Sequence, residues 1–309
     1  MVIDLRGNTG GYMDQAINMA NEFLPCGRRI VYTKGRHKAD DVVANSDGRG
    51  SFQDMQLVVV VDEISASASE IFAGAIQDND RGLVIGRRTF GKGLVQNQFM
   101  LPDNSAIRLT VARYYTPSGR SIQKIYERGD GGKYEMDLLE RYAHGEFYNA
   151  DSIHLDKSKK FKTVGGRIVY GGGGIMPDIF VPGDTVGVTS YYTEVSNSGL
   201  IPRFSMQLAD RYRKAMGNSK DMEKLLRSLP NDNALLQQFV NYAAAEGVPA
   251  RWYYINQSRA LLLRQIKAGL VRDILGFDNY FRFINREDNM IQRAVKELQA
   301  GHSPIQLRK

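Results

Sequence analysis

Strand-like and helix-like segments alternate over the first 125 residues. The unbroken apolar run at 57–61, one leucine followed by four β-branched valines, is typical of a strand covered on both faces. Apolar residues three or four apart, as at 71–76, instead predict a helix with one buried side. In chain order the pattern predicts a strand at 2–6, a helix at 13–24, a strand at 57–61, a helix at 67–78, a strand at 83–86 and a hairpin of strands at 94–100 and 106–115. This alternation is typical of an α/β core built in layers.

The pattern changes twice further along the chain. Residues 126–165 are polar, charged and weakly periodic, and we interpret them as an insertion in the core. From about residue 200 the apolar positions recur at helical spacing only. This predicts helices at 205–216, 219–228, 233–246, 256–275 and 287–299. We therefore expect two domains, an α/β core over 1–199 and a helical module over 200–309.

The net charge of +7 is concentrated in the helical module. Residues 200–309 carry 18 Lys and Arg against 10 Asp and Glu, whereas residues 1–199 are nearly neutral. A basic module can bind nucleic acid, an acidic membrane or an acidic partner, but a solvated helical surface is the more frequent cause. Four aromatic residues among these arginines could stack on bases, although packing inside a helical bundle is favoured: Tyr253, Tyr254, Phe281 and Phe283. We expect no nucleic-acid partner.

Composition limits the other classes of function. No run approaches the roughly 18 apolar residues of a membrane helix, so no transmembrane segment is predicted. The four histidines are far apart in the sequence and Cys26 is the single cysteine, so we expect no metal, no cofactor and no internal disulfide. The first residues lack a signal-peptide pattern and resemble the inside of a strand, from which we expect a truncated chain.

A serine-rich turn at 65–70 is the first candidate for chemistry, because it lies between a buried strand and a helix start. A hydroxyl at this place is close to unpaired helix N–H groups, which can stabilise a developing oxyanion. Ser67 and Glu70 also have the spacing of a capping box, which would only begin the helix. Spacing alone leaves both interpretations open and favours the cap.

Lys92 follows 25 residues after Ser67 and lies between Gly91 and Gly93. Flanking glycines allow a tight backbone path that directs the side chain into a confined space. A lysine acts as a general base only when it is neutral, so its pKa must fall from about 10.4 to near 7. That shift of roughly 3 units corresponds to about 4 kcal/mol, which burial can supply. An exposed lysine could not serve, and the phosphate-binding spacing Gly-x-Gly-Lys-Ser/Thr is missing.

Six segments together resemble the C-terminal processing (tail-specific) peptidases in their order and spacing. They are 4–11 (Asp-Leu-Arg-Gly-Asn-Thr-Gly-Gly), 65–70 (Ser-Ala-Ser-Ala-Ser-Glu), 77–78 (Gln-Asp), 86–96, 115–123 and 173–178. The resemblance covers about residues 1–183. It implies a serine peptidase core of the ClpP/crotonase type, with an appended helical module.

The resemblance also implies a role for each matching residue. Ser67 would be the nucleophile, Lys92 the general base and Gln96 the residue that orients the lysine amine. The oxyanion hole would consist of the Ala68 N–H and an N–H of Gly10 or Gly11, with Gly10 preferred. Three further positions match supporting residues of the family, with helix capping and structural packing as the alternative: Glu70, Asp78 and Thr89.

Substrates implied by the resemblance are proteins or peptides with apolar C-termini, cut near the C-terminus in the bacterial envelope or periplasm. Relatives carry an upstream PDZ domain that this chain is expected to lack, and homo-oligomerisation is left open. One alternative is an inactive truncated fragment that acts as a protein-binding scaffold. A crotonase-like acyl-CoA enzyme is disfavoured, because its chemistry normally uses carboxylates and leaves the Gly-Lys-Gly segment unexplained.

Overall fold

The computed structural model describes residues 1–126 and 131–303. Within these ranges the chain divides into two compact units, a first one over 1–183 and 289–303 and a second one over Asp184–Asp288. The first unit mixes helices and strands, whereas the described elements of the second are helical. The expectation of an α/β core with a helical region towards the C-terminus is therefore confirmed at this level.

A parallel sheet forms the centre of the first unit, in the order β1-β4-β5-β10. Its strands are β1 (Val2–Asp4), β4 (Val58–Val61), β5 (Leu83–Gly86) and β10 (Ile179–Phe180). Along β4, Val59 and Val61 pack with helices α1 (Met13–Asn21) and α2 (Ala68–Asp78), while Val58 and Val60 pack with α10 (Asn289–Gln299). The β-branched run is thus covered on both faces, as its composition predicted.

Helix α10 places the boundary between the units differently from the predicted one at residue 199/200. Its apolar residues Met290 and Ala294, four apart, lie on one side of the helix and cover Val58 and Val60. Residues 289–303 therefore belong with the α/β unit, and the helical unit begins at Asp184. Helical periodicity predicted α10 correctly but could not show which surface it covers.

A second sheet of the first unit is antiparallel, with strand order β3-β2-β7-β6. Strands β6 (Leu94–Met100) and β7 (Ala106–Tyr115) form the predicted hairpin, and β7 also pairs with β2 (Arg29–Gly35). Strand β3 (Val43–Asn45) lies on the far side of β2. No clear apolar alternation identified β2 and β3 in the sequence. This sheet places Tyr114 and Gln96 beside the candidate site.

The predicted insertion at 126–165 is more regular than its weak periodicity suggested. It contains α3 (Gly131–Ala143), a 3₁₀ turn at Ala150–Ser152 and β8 (Lys160–Lys162), which pairs with β9 (Ile168–Tyr170). Arg141 at the end of α3 is buried and contacts Glu146 and the backbone of the 88–89 segment. These contacts fix the helix by polar interactions, which an apolar pattern does not reveal. Residues 127–130 of the predicted insertion lie outside the described residues.

The helical unit has its own apolar core, which includes Phe204, Phe239 and Leu262. Its helices are α4 (Ser190–Asn197), α5 (Leu200–Met216), α6 (Met222–Ser228), α7 (Asp232–Ala245), α8 (Trp252–Leu275) and α9 (Phe277–Ile284). The four predicted helices of this part are confirmed with shifted ends. The apolar pattern did not predict α4 and α9. Residues 304–309 of the predicted module lie outside the described residues.

The aromatic residues of this unit differ in their burial. Phe283 packs against the core, but Tyr253 is 73% exposed and Phe281 is 51% exposed. The favoured interpretation, packing inside a helical bundle, is therefore wrong for these two and for Tyr254, which is 39% exposed. Among the described residues of the whole chain, no helix is both long and apolar enough to cross a bilayer.

Candidate active site

Ser67 occupies the turn between β4 and α2 and is the N-cap of that helix. Its φ of 57° and ψ of −116° lie in a region that residues other than glycine rarely adopt. Such a conformation costs about 1–3 kcal/mol and persists only where the surroundings enforce it. Two hydrogen bonds to the Asn8 carbonyl oxygen hold the turn in this conformation. They come from the Ala66 N–H (3.0 Å) and the Ser69 hydroxyl (3.0 Å).

Glu70 joins the serine turn to the lysine loop. Its carboxylate accepts hydrogen bonds from the backbone N–H groups of Ser67 (2.9 Å), Gly91 (2.7 Å) and Lys92 (2.9 Å), and from the Thr89 hydroxyl (2.5 Å). Glu70 was interpreted either as a helix cap or as a residue that supports the site. The two interpretations do not exclude each other, because one carboxylate makes both sets of contacts. Complete burial raises the pKa of Glu70 from its ordinary 4.5 to about 7, against these hydrogen bonds, which favour the charged form.

The glycines beside Lys92 are required by close backbone packing. Gly91 has a φ of 87°, and a Cβ there would lie 3.1 Å from the Gly174 nitrogen and 3.1 Å from the Lys124 Cβ. The Gly93 N–H donates to the Gln123 side chain at 2.8 Å. A larger residue at 91 would displace this segment. The loop therefore follows the tight path that the sequence predicted, and the Lys92 side chain is half-buried.

One cleft of about 690 Å³ is lined by six of the residues singled out in the sequence. They are Gly10, Gly11, Ser67, Ala68, Lys92 and Gln96. The neighbouring parallel strands β1 and β4 bring the glycine turn to the serine turn, and β6 contributes Gln96. The volume falls within the range of about 300–1,000 Å³ typical of ligand sites.

Gly10 lies directly against the serine turn. A Cβ at Gly10 would be 2.5 Å from the Ala66 carbonyl oxygen and 2.6 Å from the Ala68 nitrogen, so only glycine fits. The Gly10 N–H donates to Asn8 Oδ1 at 2.8 Å. Among the described residues no acceptor is seen for the Ala68 N–H, which begins α2. Gly11 has no heavy atom within 4 Å of a Cβ built there.

Thr89 and Asp78 lie outside the cleft. Thr89 is buried beneath the cleft, where its hydroxyl donates to Glu70 and accepts from the Ile175 N–H at 2.6 Å. Asp78 is at the opposite end of α2 from Ser67, about 16 Å along a helix of this length. It forms a 2.7 Å ion pair with Arg120, and both side chains are fully buried. The structure therefore gives Asp78 a packing role at a distance from the cleft.

Tyr114 is a residue of the site that sequence reasoning missed. Its hydroxyl lies 3.0 Å from the Ser67 carbonyl oxygen and also contacts the Lys92 carbonyl oxygen, so its one proton can be donated to either segment. The side chain is buried, and this burial raises the pKa of Tyr114 well above its ordinary value. Its inward position in β7, opposite Thr33, follows from the strand register. The sequence signal that could have identified Tyr114 is an aromatic residue with a polar hydroxyl group on the buried side of the predicted hairpin.

Sequence comparison covers the part of the chain that holds this cleft. The model of peptidase family S41 matches residues 1–129. The resemblance stated from the motifs is confirmed over this region. A second family model, described as a family of unknown function (DUF8443), matches residues 191–276 and thus lies within the helical unit.

Homologues of the N-terminal region are carboxyl-terminal-processing proteases. The Carboxy-terminal-processing protease of Bartonella bacilliformis is 50% identical over 125 residues, which are 40% of this chain and 28% of that protein. The Carboxyl-terminal-processing protease of Synechocystis is 44% identical over the same shares. Among solved structures, the photosystem II D1 C-terminal processing protease is 40% identical over 40% of this chain and 31% of its own, with a TM-score of 0.36. The match spans between a quarter and a third of these proteins.

Proposed function

We propose that the first unit is the proteolytic core of a serine peptidase in which Ser67 and Lys92 form the catalytic dyad. The observation that carries the proposal is the shared cleft, in which the half-buried Ser67 and Lys92 are fixed to each other through the Glu70 carboxylate. The family match of this region to serine peptidases supports it. We assign the core to the ClpP/crotonase type on the same basis.

The chemistry of this dyad is acyl transfer. Neutral Lys92 takes the Ser67 proton as the hydroxyl oxygen attacks a peptide carbonyl, and the resulting lysinium protonates the leaving amine. Water then repeats the cycle on the acyl-enzyme. The Gln96 amide acts as neither an acid nor a base near neutral pH, so its role in this proposal is to orient the Lys92 amine.

The oxyanion is stabilised by backbone N–H groups at the start of α2 and in the glycine turn. Ala68 offers an N–H at the helix start, and Gly10 lies against that nitrogen. Because the Gly10 N–H bonds to Asn8 Oδ1, donation to a substrate requires the Asn8 amide to turn away. Gly11 provides the alternative donor from the same turn.

Substrates in this proposal are proteins cut near apolar C-termini, in the bacterial envelope by analogy with the relatives. Comparing tails that end in apolar and in charged residues tests the preference, and fractionation of the source cells tests the location. The oligomeric state is open to measurement by light scattering.

The deciding experiment is cleavage of an unfolded protein with an apolar C-terminus. Ser67→Ala and Lys92→Arg should both abolish cleavage, since a guanidinium cannot act as the base, while Gln96→Ala should leave a reduced rate. Lys38→Arg, at an exposed lysine of the same unit, is the matched control and should retain full activity. Activity in Lys92→Arg would refute the dyad.

Covalent labelling separates an enzyme that lacks substrate recruitment from an inert scaffold. A serine-directed fluorophosphonate should label the parent chain at Ser67 and fail to label Ser67→Ala. If the parent chain neither cleaves nor reacts, the protein-binding scaffold replaces the peptidase.

A further inference from the structure

A second cleft, of about 620 Å³, adjoins the first and is strongly cationic. Lys34, Arg36 and Arg113 line it, and no acidic side chain of the described residues does. Leu94 and Gln96 line both this cleft and the one that contains Ser67. A bound peptide that extends from the candidate active site past β6 would therefore come close to three positively charged side chains.

Two of these cations face each other across a strand pair. Lys34 of β2 and Arg113 of β7 are direct partners in the antiparallel register. Cβ atoms of such partners are about 5 Å apart, and like charges at this position destabilise a sheet. Neither residue has an ion pair among the described residues, although the chain pairs many of its other arginines. No ion pair of the described residues therefore offsets the repulsion between Lys34 and Arg113.

The groups nearest these cations form no ion pair with them among the described residues. The Lys34 ammonium lies 5.9 Å from the centroid of the Tyr32 ring, which stacks on Tyr115 at 5.1 Å. The Asp41 carboxylate accepts the Gly35 N–H at 2.9 Å and the Asp40 carboxylate also lies beside Gly35, but neither lines the cleft. An added carboxylate would accept charge-assisted hydrogen bonds from the guanidinium and ammonium groups there, which have no ion pair among the described residues.

We propose that this cationic cleft binds a carboxylate of the peptide substrate and so contributes to its selection. This inference rests on the proposed peptidase function, because it assigns the cleft to a chain held at Ser67. The carboxylate is either the C-terminal α-carboxylate or an Asp or Glu side chain, since both present the same anion. Binding relieves the repulsion between Lys34 and Arg113 and brings the substrate backbone alongside β6.

The test compares peptides that differ only in charge. One pair carries a free or an amidated C-terminus, and another pair carries Glu or Gln at the same position. In Lys34→Gln/Arg113→Gln, kcat/KM for the carboxylate peptide should fall roughly three- to tenfold, the range expected for two partly exposed charge contacts. The fall should appear in KM and should diminish with added salt, while the neutral peptides react unchanged. Lys38→Gln serves as the control for lost positive charge and should change neither pair.

Binding to the Ser67→Ala variant keeps this test separate from the peptidase proposal. Fluorescence anisotropy should show tighter binding of the carboxylate peptide than of its neutral partner even if no peptide is ever cleaved. Lys34→Gln alone should raise the melting temperature by about 1–2 °C, because it removes the like-charge pair. Equal affinity for acidic and neutral peptides, or an equal loss for both in the double variant, would overturn the inference.

Discussion

Replacement of Glu70 by Gln tests the buried carboxylate that joins Ser67 to Lys92. In the folded protein burial raises the pKa of Glu70 from 4.5 to about 7, so between these values the folded state holds a proton that the unfolded chain has released. The contribution of this group to stability is therefore fully present below pH 4.5 and is lost as the pH rises towards 7. Linkage gives a loss of about 2–3 kcal/mol between pH 5 and pH 8.

Glu70→Gln should remove this pH dependence and lower the stability of the first unit. Its amide NH₂ must face two of the four donors that the carboxylate now accepts. Because the Thr89 hydroxyl can turn to accept from this amide, one or two buried N–H groups are left unsatisfied, at a cost of about 1–6 kcal/mol. The free energy of unfolding of the parent should fall from pH 5 to pH 8 relative to that of the variant, by the 2–3 kcal/mol derived above.

Denaturant unfolding with one probe in each unit measures this difference. A dye on the exposed Cys26 reports the first unit, and the single tryptophan, Trp252, reports the second. Glu140→Gln, at an exposed carboxyl, should leave the pH dependence of the dye transition unchanged. If Glu70→Gln does not fold, the carboxyl carbon of Glu70 can be titrated by NMR in the parent. Parallel pH profiles of parent and variant, or a Glu70 that titrates near 4.5, would refute the reasoning.

Three further substitutions address other parts of the site. Gly10→Ala should abolish turnover because its Cβ would lie 2.5 Å from the backbone of the serine turn. Gly11→Ala meets no atom within 4 Å and should stay active. Equal rates in the two variants would contradict the placement of Gly10 against the serine turn. Tyr114→Phe should lower kcat about five- to tenfold with KM unchanged, as expected for one hydrogen bond of about 1 kcal/mol, and a change in KM alone would argue against a positioning role. Asp78→Ala should lower the free energy of urea unfolding by about 3–5 kcal/mol, because the buried Arg120 loses its carboxylate partner. The kcat per folded molecule should stay the same. Lost activity in folded protein would place Asp78 in the site instead.

Local pattern in the sequence determined much of the first unit. The valine-rich apolar run at 57–61 specified a strand covered on both sides, and the pattern at 94–115 specified the hairpin almost to the residue. The serine turn and the glycine-flanked Lys92 were identified as candidates from their flanking residues alone. Such features are visible because strand and helix periods and backbone-restricting residues act over only a few positions.

Only the tertiary structure decided which distant groups meet. The fixing of Lys92 by Glu70, the contact of Tyr114 with both carbonyl oxygens and the Lys34–Arg113 pair each join segments at least 20 residues apart. Helix α10 likewise covers a strand more than 200 residues earlier in the chain. These contacts depend on strand pairing and on the need of buried polar groups for partners, and neither leaves a local pattern along the chain. The sequence could therefore name the candidate residues, while the fold determined what holds them in place.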